Sequence, residues 1–267
     1  MSGKPEEPEL TYASYLAIDE LLRLQVPRSQ PVEHDELLFI VIHQVYELWF
    51  KVLLHELDRA KRDFTEGALF GAIHTFQRMR TILKTLVQQL DVLETMTPLS
   101  FAAFRSRLET ASGFQSAQFR ELEFALGHKR VEVLGELARH PAGLARARRR
   151  LLEPSLVDHF YDFLAGRGVT IPESLRTKPV AEPTVPDEGI QRGLLGLYRS
   201  APDVAILLEL MTDFDEGLQE WRYRHVKLVE RTIGTKQGTG GSPGAEFLKR
   251  TLFQPVFPDL WAIRHEM

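Results

Sequence analysis

The sequence predicts an all-α protein, a helical bundle built around long central helices. Apolar residues recur at helical spacing along almost all of the 267 residues, and this periodicity is the main sequence signal for amphipathic helices. No run of alternating apolar and polar residues is bounded by hairpin turn signals, so strands are not expected. The prolines divide the periodic stretches into separate helices.

The N-terminal part contains two long predicted helices. A short amphipathic segment from Tyr12 to Leu24 comes before Pro27, and a long apolar helix then spans about Asp35 to Asp63. We expect that helix to be central and mostly buried. A second helix, from about Ala72 to Thr97, should end at Pro98 because the residue before a proline disfavours helical geometry. The two helices should pack as an antiparallel pair.

Shorter helices follow the long pair. They are expected at about Leu99 to Leu108, Gln115 to Leu126, Arg130 to Arg139, Ala142 to Leu152 and Pro154 to Arg167. Four prolines then interrupt a polar stretch at about 169–188, which cannot hold a regular helix. We interpret that stretch as a connection within a single domain, residues 1–267.

The C-terminal part contains a third long helix. A helix at Ile190 to Arg199 comes first, and a helix of some thirty residues runs from Asp203 to about Ile233, where Gly234 ends it. A glycine-rich loop from Gly238 to Gly244 and a short helix from Ala245 complete the chain.

The composition excludes several kinds of protein. The chain has no cysteine, so a disulfide framework, a thiol nucleophile and a thiolate metal ligand are all excluded. A net charge of −4 gives no general attraction to nucleic acid or to anionic membranes. The segment Met1 to Glu9 lacks the features of a secretory signal, and we expect no apolar run of membrane-spanning length. A cytoplasmic location is therefore expected.

His43 is the first histidine with an unusual setting. At 100° per residue it shares a helix face with Phe39, Tyr46 and Phe50, so its imidazole should lie among aromatic rings. Such a histidine is either part of a functional pocket or a core residue satisfied by a backbone carbonyl or by Tyr46.

His225 is the second, on the same predicted helix as Met211, Phe214 and Leu218. A neutral imidazole on a rigid helix is the usual axial ligand of haem iron in a protein without cysteine. The alternative is an interfacial histidine on a charged helix. The other seven histidines form no His-Glu-x-x-His motif or close pair, so a zinc site is not indicated.

The glycine-rich loop does not match a nucleotide-binding loop. It follows a helix instead of a strand, and it lacks the Gly-Lys-Ser/Thr ending of a P-loop. It is either a lid that closes over a ligand and offers the Thr239 hydroxyl, or a plain solvent loop.

Six motifs, in the same order, resemble the tryptophan 2,3-dioxygenase family, and they span nearly the full chain. They are Thr11 to Leu16, His34 to Ile40, His43-Gln44 with Glu47 to Lys51, Ser112 to Ser116, Glu220 to Arg222 with His225, and Ile233-Gly234 leading to Gly238 to Ser242. Both candidate histidines lie within these motifs.

The resemblance implies a haem protein of the tryptophan/indoleamine dioxygenase type with one haem b per subunit. It also implies a homotetramer, a dimer of dimers in which the N-terminal segment reaches a neighbouring active site. The implied reaction cleaves the indole C2–C3 bond of L-tryptophan with O2 and gives N-formyl-L-kynurenine, the first step of tryptophan catabolism by the kynurenine pathway.

The same resemblance assigns roles to individual residues. His225 matches the axial ligand of the haem iron, and His43 matches the catalytic distal histidine that accepts the indole N–H. Arg105 matches the arginine that binds the substrate carboxylate, and Thr239 matches a threonine near the amino-acid head group. Ser112 and Gly113 match the turn beside the haem propionates. The implied pocket wall consists of Tyr12, Tyr15, Leu16, Phe39 and Phe101.

Two positions depart from the family pattern or vary within it. Pro243 replaces a serine of the glycine loop, and Phe101 stands where the family can have tyrosine. Two alternatives follow for function. One is a related haem monooxygenase or dioxygenase that acts on a substituted tryptophan or another indole. The other is a helical interaction protein that binds no haem and is colourless when purified.

Overall fold

The computed structural model describes residues 9–239, 241 and 244–267. These residues form helices and turns with no strand among them, which confirms the predicted all-α class. The α-helices are α1 (Tyr12–Leu16), α2 (Ile18–Leu21), α3 (His34–Thr65), α4 (Leu69–Leu93), α5 (Pro98–Arg105), α6 (Ala117–Leu126), α7 (Pro141–Leu151), α8 (Leu156–Gly166), α9 (Glu173–Arg176), α10 (Glu188–Ser200), α11 (Pro202–Ile233), α12 (Ala245–Lys249) and α13 (Pro258–Ala262). Short 3₁₀ helices occur at Ser106–Leu108, Gly113–Gln115, Val131–Leu137 and Ile263–Glu266.

Three long helices form the centre of the bundle, and α4 packs against both α3 and α11. Only residues 66–68 separate α3 from α4, and Gly67 adopts φ +67°, a conformation that favours glycine. Because so short a connection must reverse the chain, α3 and α4 run antiparallel, as the sequence predicts.

Aromatic side chains from several helices meet in the core. Phe64 of α3 lies with its ring centroid 5.9 Å from that of Phe76 on α4 and 5.5 Å from that of Phe160 on α8. Phe76 in turn makes an edge contact at 5.7 Å with Phe214 of α11. Since truncating a buried phenylalanine to alanine costs about 3–5 kcal/mol, this cluster contributes strongly to holding the long helices together.

The buried carboxylate of Asp215 on α11 binds the C-terminal segment through three hydrogen bonds. Asp215 accepts the backbone N–H groups of Val256 and Phe257 and the indole N–H of Trp261, each at 3.0 Å. Burial raises the pKa of Asp215, and these donors partly offset that effect. The contact fixes the part of α11 that precedes His225.

The first predicted helix is broken. Thr11 and Ser14 form a capping box that starts α1, but Ala17 adopts a left-handed conformation (φ 49°) and separates α1 from α2, which ends at Leu21. None of the residues in these two short helices is buried. Short helices without buried residues are only marginally stable in water, which explains why the helical segment does not continue to Leu24 as predicted.

Pro98 begins a helix, although the sequence predicts that it ends one. Thr97 caps α5 by accepting the N–H of Ser100 at 3.0 Å, and Pro98 occupies the first turn, where proline costs no hydrogen bond. As a result α4 ends at Leu93. The predicted helix at Arg130 to Arg139 is instead the 3₁₀ segment Val131–Leu137, and the proline-rich connection contains α9.

Two expectations about α3 are wrong. Only 12 of its 32 residues are buried, so it is not mostly buried. We also expected no apolar run of membrane-spanning length, but an 18-residue window of α3 is long and apolar enough to cross a membrane. Of that window 28% is buried, and core helices of soluble proteins pass the same test. Its exposed apolar residues, Leu37, Val41, Leu48 and Val52, recur at helical spacing.

Candidate active site

A cavity of about 600 Å³ lies between α3, α5, α6 and α11 and the segments that follow α11. Its size falls within the usual range for sites that bind small molecules or cofactors. Many of its lining side chains are aromatic: Phe39, Tyr46, Phe50, Phe101, Phe114, Phe119, Trp221 and Phe247. A flat apolar ligand would therefore find extensive contact here.

His43 contributes an imidazole to the cavity from α3. Its Nδ1 lies 2.7 Å from the carbonyl oxygen of Phe39, and the two rings are 4.1 Å apart. Because a carbonyl only accepts, Nδ1 carries the hydrogen and the neutral ring offers Nε2 as an acceptor. Desolvation within the cavity lowers the pKa of His43 below its ordinary value, which favours the neutral ring. A backbone carbonyl thus satisfies one nitrogen and leaves the other for a ligand.

His225 lines the same cavity from α11. Its ring stacks on Trp221, one turn earlier, with centroids 5.5 Å apart and planes inclined by 8°. Burial, and after it the electrostatic effect of the nearby His43, lowers the pKa of His225 to about 4. A neutral, rigidly held imidazole is the form that binds iron.

An excess of positive charge lies at the wall of the cavity. The Glu123 carboxylate accepts from Arg120, from Arg130 at 2.6 Å and from Arg222 at 3.4 Å. Burial raises the pKa of Glu123, but the three guanidinium groups together hold it below its ordinary value. The Nε atoms of Arg120 and Arg222 are buried with no partner among the described residues. Such donors call for an anionic ligand.

This cluster was not identified from the sequence. Arg120 and Glu123 are three residues apart on one helix, which is the usual spacing of an exposed ion pair. The only sequence signal for a buried ion pair was the position of Arg120 and Glu123 within an apolar helix, next to Leu122 and Phe124. The contribution of Arg222 from α11 is visible only in the packed structure.

Arg105 and Thr239 both line the cavity and contact protein carbonyls there. An Nη of Arg105 donates to the Gln237 carbonyl at 2.5 Å, and the Thr239 hydroxyl donates to the carbonyl of Ala111. The Nε of Arg105 is buried without a partner among the described residues. Thus α5 and the segment after α11 meet at this part of the cavity. Pro243 lies outside the described residues.

The structure brings most of the predicted site residues together. The cavity is lined by Phe39, His43, Phe101, Arg105, Ser112, Gly113, His225 and Thr239. Three others do not line it: Tyr12, Tyr15 and Leu16 are exposed by 78%, 72% and 42% on α1. Within a single chain the predicted wall is therefore incomplete, because α1 has no buried residue to hold it against the bundle.

His128 lies near the cluster of Glu123 and its three arginines, and its pKa provides a test of these buried charges. Burial, followed by the charge of Arg222, lowers its pKa to about 4 from 6.5. The unfolded chain binds this proton near pH 6.5 and the folded protein only near pH 4, so its contribution to stability is present above pH 6.5 and is lost as the pH falls to 4. We expect His128→Gln to remove up to a few kcal/mol of this pH dependence in urea unfolding.

The exposed His34→Gln variant is the matched control and should unfold with the pH dependence of the wild type. Equal losses of stability between pH 6.5 and 4 in His128→Gln and the wild type would contradict the assignment.

The fold and the cavity together define a class of protein. It is an all-helical protein with a deep aromatic pocket that can hold a flat, anionic group beside two neutral imidazoles.

Comparison with known proteins narrows this class. A family model described as tryptophan 2,3-dioxygenase matches residues 3–138 and 192–267. The chain belongs to the tryptophan 2,3-dioxygenase family. It is 56% identical over 258 residues to the tryptophan 2,3-dioxygenase of Herpetosiphon aurantiacus, covering 97% of this chain and 98% of the relative. It is 54% identical over 255 residues to that of Anaeromyxobacter sp. strain K, covering 96% and 95%. For Kineococcus radiotolerans the identity is 43% over 262 residues, covering 97% and 92%.

Proposed function

We propose that this chain is a haem enzyme that cleaves the indole C2–C3 bond of L-tryptophan with O2. The product is N-formyl-L-kynurenine, and the reaction is the first step of tryptophan catabolism by the kynurenine pathway. The observation that carries the proposal is that His43, His225 and Arg105, from three separate helices, line one aromatic cavity. Family membership supports the same reaction.

The residues present fit a haem b. Its two propionate carboxylates would match the cluster of three arginines and one glutamate, where the Nε atoms of Arg120 and Arg222 have no partner in the described part of the chain. A Cβ built on Gly113 would meet no atom within 4 Å, so the turn at Ser112 and Gly113 leaves open space at the cavity. His225 would hold the haem iron through its imidazole. Haem, when bound in its ferrous form, would supply the binding and activation of O2.

The remaining lining residues orient the substrate. Phe39 and Phe101 give an apolar wall for the indole ring, and Nε2 of His43 accepts the indole N–H, which is a donor only. The Nε of Arg105 has no partner among the described residues, and Arg105 can pair with the substrate carboxylate, with Thr239 beside the amino-acid head group. This arrangement holds the indole C2–C3 bond in one place and excludes water from it.

The assembly follows as part of the proposal. A homotetramer, a dimer of dimers, would cover the exposed apolar stripe of α3 and give α1 a neighbouring subunit to pack against. Tyr12, Tyr15 and Leu16 would then complete the pocket of that neighbour. We place the enzyme in the cytoplasm, with residues 1–267 acting as one domain.

The test is reconstitution of the full chain with haem. We expect a Soret band that saturates at one haem per chain and, after reduction and aerobic addition of L-tryptophan, the near-ultraviolet absorption of N-formylkynurenine. Haem binding without that product would direct the assignment to another indole substrate. A colourless protein that takes up no haem would contradict the proposal and favour an interaction protein.

A further inference from the structure

Glu47 lies on α3 one turn after His43 and lines the same cavity. One carboxylate oxygen accepts the hydroxyl hydrogen of Ser116 at 2.5 Å, and the other accepts from the side-chain amide of Gln118 at 2.8 Å. The same Gln118 nitrogen also donates to the Glu47 backbone carbonyl at 2.8 Å. These contacts join positions 69 and 71 residues apart in the chain.

The partners of Glu47 belong to one short unit of structure. Ser112 to Ser116 form a turn with a 3₁₀ helix, held internally by the N–H of Gln115 to the Ser112 carbonyl at 2.9 Å and by the N–H of Ser116 to the Gly113 carbonyl at 3.1 Å. Ser116 then caps α6 by accepting the N–H of Phe119 at 3.2 Å.

Other contacts of this turn do not reach α3: among the described residues, the Phe114 ring lies 5.0 Å from that of Phe247, and the Gln115 side chain donates to the Thr110 carbonyl at 3.0 Å. None of the residues in the 3₁₀ helix Gly113–Gln115 is buried, and its internal hydrogen bonds are all short-range. Segments with few buried apolar contacts open most readily. The hydrogen bonds to Glu47 tie the turn to a long helix, which the turn's own short-range hydrogen bonds do not.

We propose that Glu47 is a positioning residue that clamps the turn Ser112–Ser116 and the start of α6 to the helix that carries His43. The clamp fixes the distance between the imidazole of His43 and the opposite wall, where α6 presents Arg120. Its consequence for haem rests on the proposed function, whereas its consequence for the turn does not.

Hydrogen exchange of the full-length apoprotein tests the clamp directly. In Glu47→Ala we expect the backbone amides of residues 113–116 to exchange at least about tenfold faster than in the wild type. In Glu47→Gln the amide oxygen can still accept from Ser116, and Gln118 can turn its own amide, so exchange should stay near that of the wild type.

Glu56→Ala is the matched control, because Glu56 also lies on α3 but pairs with Arg78 of α4, away from the turn. It should leave exchange at residues 113–116 unchanged. Gln118→Met removes the Gln118 contacts but keeps the Ser116–Glu47 hydrogen bond, so it should raise exchange by less than Glu47→Ala. It serves as a second route if Glu47→Ala does not fold.

Haem retention gives a second readout on holoprotein. Transfer of haem to apomyoglobin should be about 10–100-fold faster from Glu47→Ala than from the wild type, with Glu47→Gln close to the wild type. Unchanged exchange at residues 113–116 in Glu47→Ala would overturn the proposal, as would equal disruption by alanine and glutamine. A wild type that binds no haem would remove the proposed function, while the exchange experiment would still decide the clamp.

Discussion

Replacing His225 with alanine is expected to abolish the Soret band of the reconstituted protein and to reduce product formation below detection. The imidazole of His225 is neutral, is stacked on Trp221 and lines the cavity, and the chain contains no cysteine that could replace it as a ligand. Absorption spectra of the ferric and ferrous forms, recorded during haem titration, measure the loss.

Two comparisons separate loss of a ligand from loss of the fold. Added imidazole should enter the space left by the side chain and restore a Soret band to the alanine variant. His34→Ala, at an exposed position, should bind haem like the wild type. A His225→Ala protein with an unchanged Soret band would show that another residue holds the iron.

Replacing Arg105 with lysine is expected to lower kcat/KM for L-tryptophan by about 10–100-fold. A guanidinium can make two parallel hydrogen bonds to a carboxylate, whereas an ammonium group is a point donor on a flexible chain. Lysine would also lose the geometry of the contact to the Gln237 carbonyl at the cavity. Steady-state kinetics with L-tryptophan measure the effect.

Tryptamine, which lacks the carboxylate, separates recognition from general damage. The preference of the wild type for L-tryptophan over tryptamine should largely disappear in Arg105→Lys, because the carboxylate contact is the one that distinguishes the two compounds. Arg107→Lys, at a nearby exposed position, is the matched control and should keep that preference. If Arg105→Lys discriminates between the two compounds as well as the wild type does, Arg105 does not bind the carboxylate.

The sequence was most informative about the long helices. Apolar periodicity located α3, α4 and α11 to within a few residues, and Gly234 ended α11 as predicted. The sequence was less informative about where one helix ends and the next begins. Pro98 is compatible with both the end of one helix and the first turn of the next, and the Thr97 cap decides in favour of the second. The exposure of α3 was also missed, because a helix that is apolar on several faces has the same sequence pattern whether its outer face is covered or exposed.

Within the site, single-residue patterns showed candidates but not their partners. The aromatic face around His43 was predictable from helical spacing, and the structure confirms its contact with Phe39. The arginine cluster was not predictable, because Arg222 of α11 meets Glu123 of α6 only in the folded chain. Glu47 was likewise hidden, since its partners lie some seventy residues further along the chain.

Isotope labelling of the product tests the central claim most directly. The reconstituted, reduced protein is supplied with L-tryptophan and ¹⁸O₂ in unlabelled water, and the product is examined by mass spectrometry after a short incubation. We predict N-formyl-L-kynurenine in which both new oxygen atoms carry the label. A product with a single labelled oxygen would contradict the account and show that this cavity performs monooxygenation.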